Sequence, residues 1–306
     1  MIVEVSEIEW RSCLSEKVLS IAFDPNYLKP IGLSFNCKIN YLIYKSKEEL
    51  EFAMVVFSKG NKVILPENFT YSPLWINPKL SERKQIEIQI SLIKLLKEKY
   101  KKIFLKLNID FQDIRAFKWE GFNVDVRYTY IRLKNFKPNK SINNRLKKIN
   151  NFKTNISIQS PSYDDIRLNI DFLKTLNFNE LKCKSYLDLI NKWNKNGFLK
   201  SFRIEIENKI VGAFLVLLDP QIKKAYTLMI NSSNREFEFT HALVYQSITN
   251  WLDENNFDEV DFCGANIKGI AFFKSLFNPI LKNYYVLNYS AMQVKFNSIK
   301  HFLNKI

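Results

Sequence analysis

Strands, a long amphipathic helix, a strand, a short turn and a closing strand are written twice in this chain. In the first half, Asn40 to Tyr44 and Phe52 to Phe57 alternate as paired strands, and Lys62 to Leu65 reads as a third. Glu82 to Lys99 follows helical spacing with Ile86, Ile90, Ile93 and Leu96 on one face, and Lys101 to Leu107 and Val124 to Leu133 read as strands. In the second half, Phe202 to Ile206 and Ile210 to Leu218 form a hairpin around Glu207-Asn208-Lys209. Strand Ala225 to Ile230, helix Thr240 to Glu254 and strands Glu259 to Cys263 and Tyr284 to Tyr289 complete it. A Phe-Lys pair recurs in the last crossover of each half, in Ala116-Phe117-Lys118-Trp119-Glu120-Gly121-Phe122 and in Ala271-Phe272-Phe273-Lys274-Ser275-Leu276-Phe277. Crossovers of this length favour a twisted mixed sheet with helices on its faces, and the matched order favours duplication. The expected class is α/β, in two similar domains.

The division is expected at 136/137, giving domains 1–136 and 137–306, because Lys137-Pro138-Asn139-Lys140-Ser141 breaks regular structure. Beyond it, Ser141 is expected to cap a helix from Ile142 to Phe152 whose Ile142, Leu146 and Ile149 form an apolar stripe. A last amphipathic helix, Val294 to Leu303, is expected to pack back on the body, crossing to the first domain. The net charge is +15, although 33 asparagines beside the lysines point to compositional drift as its main source. The charge nevertheless clusters: from Asp125 to Asp164 there is no acid, but nine bases, among them Arg145, Lys147 and Lys148. That run reads equally as a solvated helix face or as an anion site.

Other function classes fall away. Seven glycines in no GxGxxG or GxxxxGK spacing exclude a Rossmann turn and a P-loop. Four dispersed cysteines and two histidines give no zinc spacing or disulfide framework, so no metal is expected and a reducing cytoplasm fits. No apolar run approaches the roughly 18 residues of a membrane span. The acidic start, with Glu4, Glu7 and Glu9, is unlike a signal peptide.

Several segments of the second half carry a family resemblance. They are Asn208-Lys209-Ile210-Val211-Gly212-Ala213, Ala225-Tyr226, the helix from Thr240, Glu259-Val260-Asp261-Phe262-Cys263-Gly264 and the Phe-Phe-Lys-Ser-Leu-Phe crossover. Together with Trp119-Glu120-Gly121-Phe122 and Tyr128-Thr129-Tyr130, the chain resembles the Fem-type, GNAT-like acyltransferases. The resemblance implies tandem GNAT folds and transfer of an acyl or aminoacyl group to an amine. Two departures stand out. Asn231 to Thr240, where coenzyme A-dependent relatives carry a glycine-rich pyrophosphate loop, has no glycine. Residues 155 to 200 read as too short and irregular for the coiled-coil arm of several Fem proteins.

The resemblance makes Lys274 the first candidate for chemistry, its ammonium stabilising the oxyanion of acyl transfer, and Lys118 a non-catalytic relic. Asp261 lies in an apolar strand and needs a partner; it would orient Lys274 or the amine, act as a base, or cap the following turn. Tyr226 would donate to the carbonyl or shape the acyl pocket, or simply be core. His241 reads as incidental. Arg145 and Lys148 are candidate phosphate or tRNA contacts, with Phe273 beside them on the substrate. Tyr71 and Trp75, in a loop after Pro66, are candidate stacking platforms for a sugar or base.

The leading expectation is amide formation without a covalent enzyme intermediate. The donor would be aminoacyl-tRNA, a carrier-linked acyl group or acyl-CoA, with no tightly bound cofactor. The acceptor would be a sugar amine or a cell-envelope precursor of the peptidoglycan kind. A non-catalytic RNA-binding module and an ordinary CoA-dependent N-acetyltransferase are the alternatives.

Overall fold

In the computed structural model, residues 1–66, 69–135, 137–232 and 239–292 are described. The expected helix Val294 to Leu303 lies outside them, as does most of the glycine-free segment after Asn231. The first half runs β1 (Val3–Val5), α1 (Glu7–Leu14), α2 (Pro25–Phe35), β2 (Lys38–Ser46), β3 (Glu49–Lys59), β4 (Lys62–Ile64) and β5 (Leu74–Ile76). It continues through α3 (Glu82–Lys99), β6 (Lys102–Lys106), α4 (Arg115–Trp119) and β7 (Asn123–Leu133). The second half has α5 (Lys140–Lys147), β8 (Thr154–Gln159), α6 (Tyr163–Thr175), α7 (Glu180–Lys195), β9 (Leu199–Ile206) and β10 (Lys209–Asp219). After it come β11 (Lys224–Ser232), α8 (Thr240–Glu254), β12 (Glu259–Asp261), α9 (Lys268–Ser275) and β13 (Ile280–Ser290).

Grouped by spatial contact, the chain forms two compact units that are not consecutive stretches of sequence. Unit 1 holds Met1–Val18, Ala22–Arg127 and Asn283–Ile306; unit 2 holds Leu19–Ile21 and Tyr128–Lys282. The boundary expected at 136/137 therefore differs from the observed grouping, because each unit takes its closing strand from the other half of the sequence. In unit 1 the strand order is β1-β2-β3-β4-β6-β13, with β5 on β3; Val286 to Ser290 pair antiparallel with Lys106 to Lys102. In unit 2 the order is β8-β9-β10-β11-β12-β7, and Ile131 to Leu133 pair antiparallel with Asp261 to Glu259. Each sheet has one parallel pair, β4 with β6 and β11 with β12, bridged by its long helix. The two halves thus fold alike, as mixed sheets flanked by helices.

Helix α3 starts at Ser81, whose side chain accepts from Lys84 N, and ends with Lys97 and Lys99 in its last turn, where cations suit the helix dipole. Its buried face is Ile88, Leu92, Ile93 and Leu96, packed on Phe52, Met54 and Val56 of β3 and on Ile103 and Leu105 of β6. Ile86 and Ile90, expected on that face, are only partly buried. The helix carries more isoleucine than one face can hold, so the stripe centres on the 88-92-96 row. Each fully buried side chain of this kind contributes about 1.5–3 kcal/mol. Unit 2 repeats the device, with Val244, Ile248 and Leu252 of α8 against Phe202, Ile204, Phe214 and Val216.

Helix α5 is capped by Asn139, whose Oδ1 accepts from Ser141 N at 3.0 Å, so the cap lies two residues before the expected Ser141. The expected stripe holds: Ile142 is buried, and Leu146 and Ile149 pack against the same core as α8. Residues 155–200 are regular, forming β8, α6 and α7.

Candidate active site

Strand β12 is three residues long and its partners then part. Lys224, Ala225 and Tyr226 of β11 lie in parallel register with Glu259, Val260 and Asp261, and β11 runs on to Ser232 alongside β10. The chain beyond Asp261 instead follows β7: Phe262 N donates to Tyr130 O at 2.8 Å and Ala265 N to Tyr128 O at 2.8 Å. Cys263 and Gly264 make the bend with φ of 49° and 77°. Glycine accepts that left-handed region freely, whereas for cysteine it is strained by roughly 1 kcal/mol. A fork opens at the carboxyl ends of two parallel strands, the position where open α/β sheets receive ligands.

Lys274 of α9 holds the bend. Its Nζ donates to Phe262 O at 2.6 Å, Cys263 O at 2.5 Å and Gly264 O at 2.9 Å, and the residue is buried. An ammonium has three protons, and here each has a carbonyl. Burial lowers the Lys274 pKa, opposed by nearby Cys263 and Asp261, while the three carbonyl dipoles favour the charged form. The expectation that this ammonium meets an oxyanion does not match its hydrogen bonds, which are spent on the loop. In this arrangement the ammonium braces the bend. Lys118, its counterpart on α4, is exposed.

Asp261 is fully buried. Its Oδ1 accepts from Thr129 Oγ1 at 2.5 Å and from Cys263 N at 2.8 Å, the second bond closing the turn. Tyr226 lies beside it in register, with Lys224 Nζ 5.5 Å from the ring centroid. Thr227 Oγ1 donates to Asp261 O at 3.4 Å and is hydrogen-bonded with buried Tyr245, whose phenol is pushed well above its usual pKa by burial. Thr129, Thr227 and Tyr245 were not among the residues expected at the site. The legible signal for Thr129 was a polar residue between Tyr128 and Tyr130 in an otherwise strand-like run.

Lys274 and Asp261 therefore meet at the bend beside the fork, and Tyr226 is the β11 residue in register with Asp261. Arg145 and Phe273 meet separately, with the guanidinium 5.8 Å from the ring centroid, and Lys148 is exposed at the end of α5. His241 is wedged edge-on between Phe214 and Phe273, and burial lowers its pKa. Tyr71 and Trp75 belong to unit 1, where the loop expected to expose them is bound to the sheet. Ser72 N donates to Lys106 O at 2.7 Å, and Val55 N to Pro73 O at 2.9 Å. Tyr71 packs edge-on against Tyr284, and Trp75 lies in β5 with Lys17 over its ring. Both are half-buried, because annealing β5 to β3 turns the expected loop into sheet. Among the described residues, no group of three or more His, Cys, Asp or Glu side chains could hold a metal, and no helix is long and apolar enough to cross a membrane.

No protein-family model and no curated protein matches the chain. Solved structures do. FemX superimposes with a TM-score of 0.62 at 12% identity, over 98% of this chain and 99% of that one. The C-terminal domain (DUF2156) of a protein described as a lysylphosphatidylglycerol synthetase, from Agrobacterium fabrum, gives 0.60 at 12% over 97% of both. A tandem GNAT protein from the clavulanic acid biosynthesis pathway gives 0.57 at 8%, over 95% and 98%. The fold is a tandem GNAT fold, shared with FemX. In this GNAT fold, the fork lies in the second repeat, between β11, the strand that precedes α8, and the chain that leaves β12.

Proposed function

We propose that the protein is an acyl or aminoacyl transferase that makes an amide at the fork between β11 and β12. The observation that carries this reading is the parting of the parallel pair after Tyr226 and Asp261, beside a buried polar cluster of Asp261, Thr129, Thr227 and Tyr245. The donor carbonyl would enter the fork, where β11 runs past the end of β12 and presents backbone to it. The acceptor nitrogen attacks the carbonyl carbon, a C–N bond forms, and the ester or thioester bond to the carrier breaks. The amine proton leaves with the departing oxygen or sulfur. Tyr226, in register with Asp261 where the fork begins, would donate to the developing charge. Lys274 and Asp261 hold the loop that forms one wall, fixing geometry before reaction, which is where most of such catalysis arises.

An aminoacyl ester of tRNA or a carrier-linked acyl group is favoured over coenzyme A, since Asn231 to Thr240 has no glycine to let backbone approach a diphosphate. A cell-envelope amine as acceptor draws support from the likeness to FemX and to the lysylphosphatidylglycerol synthetase domain, which at this identity is one of fold. The test is transfer of radiolabelled acyl groups from charged tRNA, acyl carrier and acyl-CoA to envelope-precursor amines. Transfer that Tyr226→Phe slows by about tenfold or more supports the assignment. Turnover untouched by Tyr226→Phe and by Thr129→Val places the chemistry elsewhere, and absence of transfer from every activated donor defeats the reading.

A further inference from the structure

Helices α5 and α9 share one face of unit 2 that nothing in the proposed chemistry employs. They are tied side by side: Asn139 N donates to Leu276 O at 2.8 Å, Asn278 Nδ2 to Lys137 O at 2.7 Å, and Arg145 lies over Phe273. Both rest on the same core through Ile142, Leu146, Phe273 and Leu276. Their outer surfaces differ in character. At α9, Ile267 and Phe272 are each 65% exposed and Ile270 is 43% exposed, with the Lys268 ammonium 5.8 Å from the Phe272 ring centroid. At α5, Lys140, Lys147 and Lys148 are exposed, within the stretch from 126 to 163 that has no acidic residue.

We infer that this face docks on the surface of an anionic phospholipid bilayer. The argument is one of complementarity. Exposed isoleucine and phenylalanine beside the exposed lysines of an acid-free stretch of sequence match an interface with apolar tails below and negative head groups at the rim. Lysines would sit at head-group level, and Phe272 with Ile267 would enter the boundary of the acyl region. Nucleic acid would match the lysines equally well, but it offers nothing to Ile267 and Ile270, whose aliphatic side chains cannot stack on bases as rings do. The face requires no membrane-spanning helix. It is the outer surface of α9, the helix whose Lys274 braces the fork from within, and lipid contact there does not depend on the acyl-transfer reading.

The test is co-sedimentation of the full chain with vesicles of phosphatidylcholine alone and of phosphatidylcholine with phosphatidylglycerol, at low and high salt. Binding to the anionic vesicles only, weakened by salt, is expected. Phe272→Ser with Ile267→Ser should weaken it by roughly tenfold or more. Lys147→Gln with Lys148→Gln should weaken it by roughly fivefold for each charge removed. These side chains are exposed, so the variants should keep the wild-type thermal transition, which circular dichroism checks. Failure to bind anionic vesicles at low salt overturns the inference. So does binding indifferent to Phe272→Ser and Ile267→Ser, which would mark non-specific attraction. Retention of tRNA instead of vesicles, lost in the lysine variant, would make the face a nucleic-acid surface and also overturn it.

Discussion

The Thr129 hydroxyl donates to the Asp261 carboxylate at 2.5 Å, joining β7 to the end of β12 across 132 residues of sequence. Both side chains are wholly buried, so the bond replaces water that neither can reach. Thr129→Val keeps the shape and removes the donor. It should lower the unfolding free energy by about 1.5–3 kcal/mol, the range for a hydrogen bond to a charged group. Urea denaturation measures this. An unchanged midpoint would mean that Cys263 N alone suffices for the carboxylate.

Lys274→Met should cost more, about 3 kcal/mol or above, since it leaves three carbonyl oxygens turned toward a missing ammonium. If the proposed function holds, turnover should fall together with stability, because the 262–264 wall of the fork loses its anchor. A fully stable variant lacking activity would instead point to direct participation by the ammonium. Denaturation and transfer rate measured on one preparation separate the two outcomes.

Asp219 sets a pH dependence. Burial raises its pKa above the usual 3.8, while the Ser20 hydroxyl and Ile21 N–H, both donating to Oδ2, pull it back. A raised value means that the folded chain holds this proton more firmly than the unfolded chain does. Its contribution to stability is therefore full below the unfolded value and declines as pH rises toward the folded one. Asp219→Asn cannot titrate, so the difference in unfolding free energy between wild type and variant should change across that window. Guanidinium denaturation from pH 4 upward tests it; a difference independent of pH removes the assignment.

Gly212 faces a close approach in β10. A Cβ there would lie 2.9 Å from Phe214 Cε2 and 3.0 Å from Asn231 O, beside a register shift in the β9–β10 ladder. Gly212→Ala should destabilise by about 1–3 kcal/mol through overpacking. Thermal unfolding of the variant at the wild-type temperature would show that the strand moves aside.

The repeated order of elements was legible in the sequence, down to the ends of the helices Glu82–Lys99 and Thr240–Glu254, because long periodic stretches declare themselves. Helices α6 and α7 were not, although Ile166, Ile170 and Leu173, then Cys183, Tyr186, Ile190 and Trp193, sit at helical spacing behind the caps Ser162 and Asn179. Their many asparagines and lysines hid the stripe. Lys274 could be singled out through the family resemblance, and Asp261 and Tyr226 through residue type and place. What Lys274 bonds to could not, since its acceptors are backbone carbonyls that only the bend at Cys263 and Gly264 turns inward. Nor do β7 and β13 carry a local mark of which sheet they join.

That exchange of closing strands bears on how the molecule comes into being. Val286 to Ser290 border Lys102 to Lys106, so a ribosome must have passed residue 290 before the sheet of unit 1 receives its final member. Until then β6 waits with an unmatched backbone edge, a natural point for chaperone engagement or for aberrant pairing with a neighbouring nascent chain. Dividing the chain between residues 136 and 137 would yield two fragments that each carry the other's missing piece, and co-expression is the route by which they could recombine.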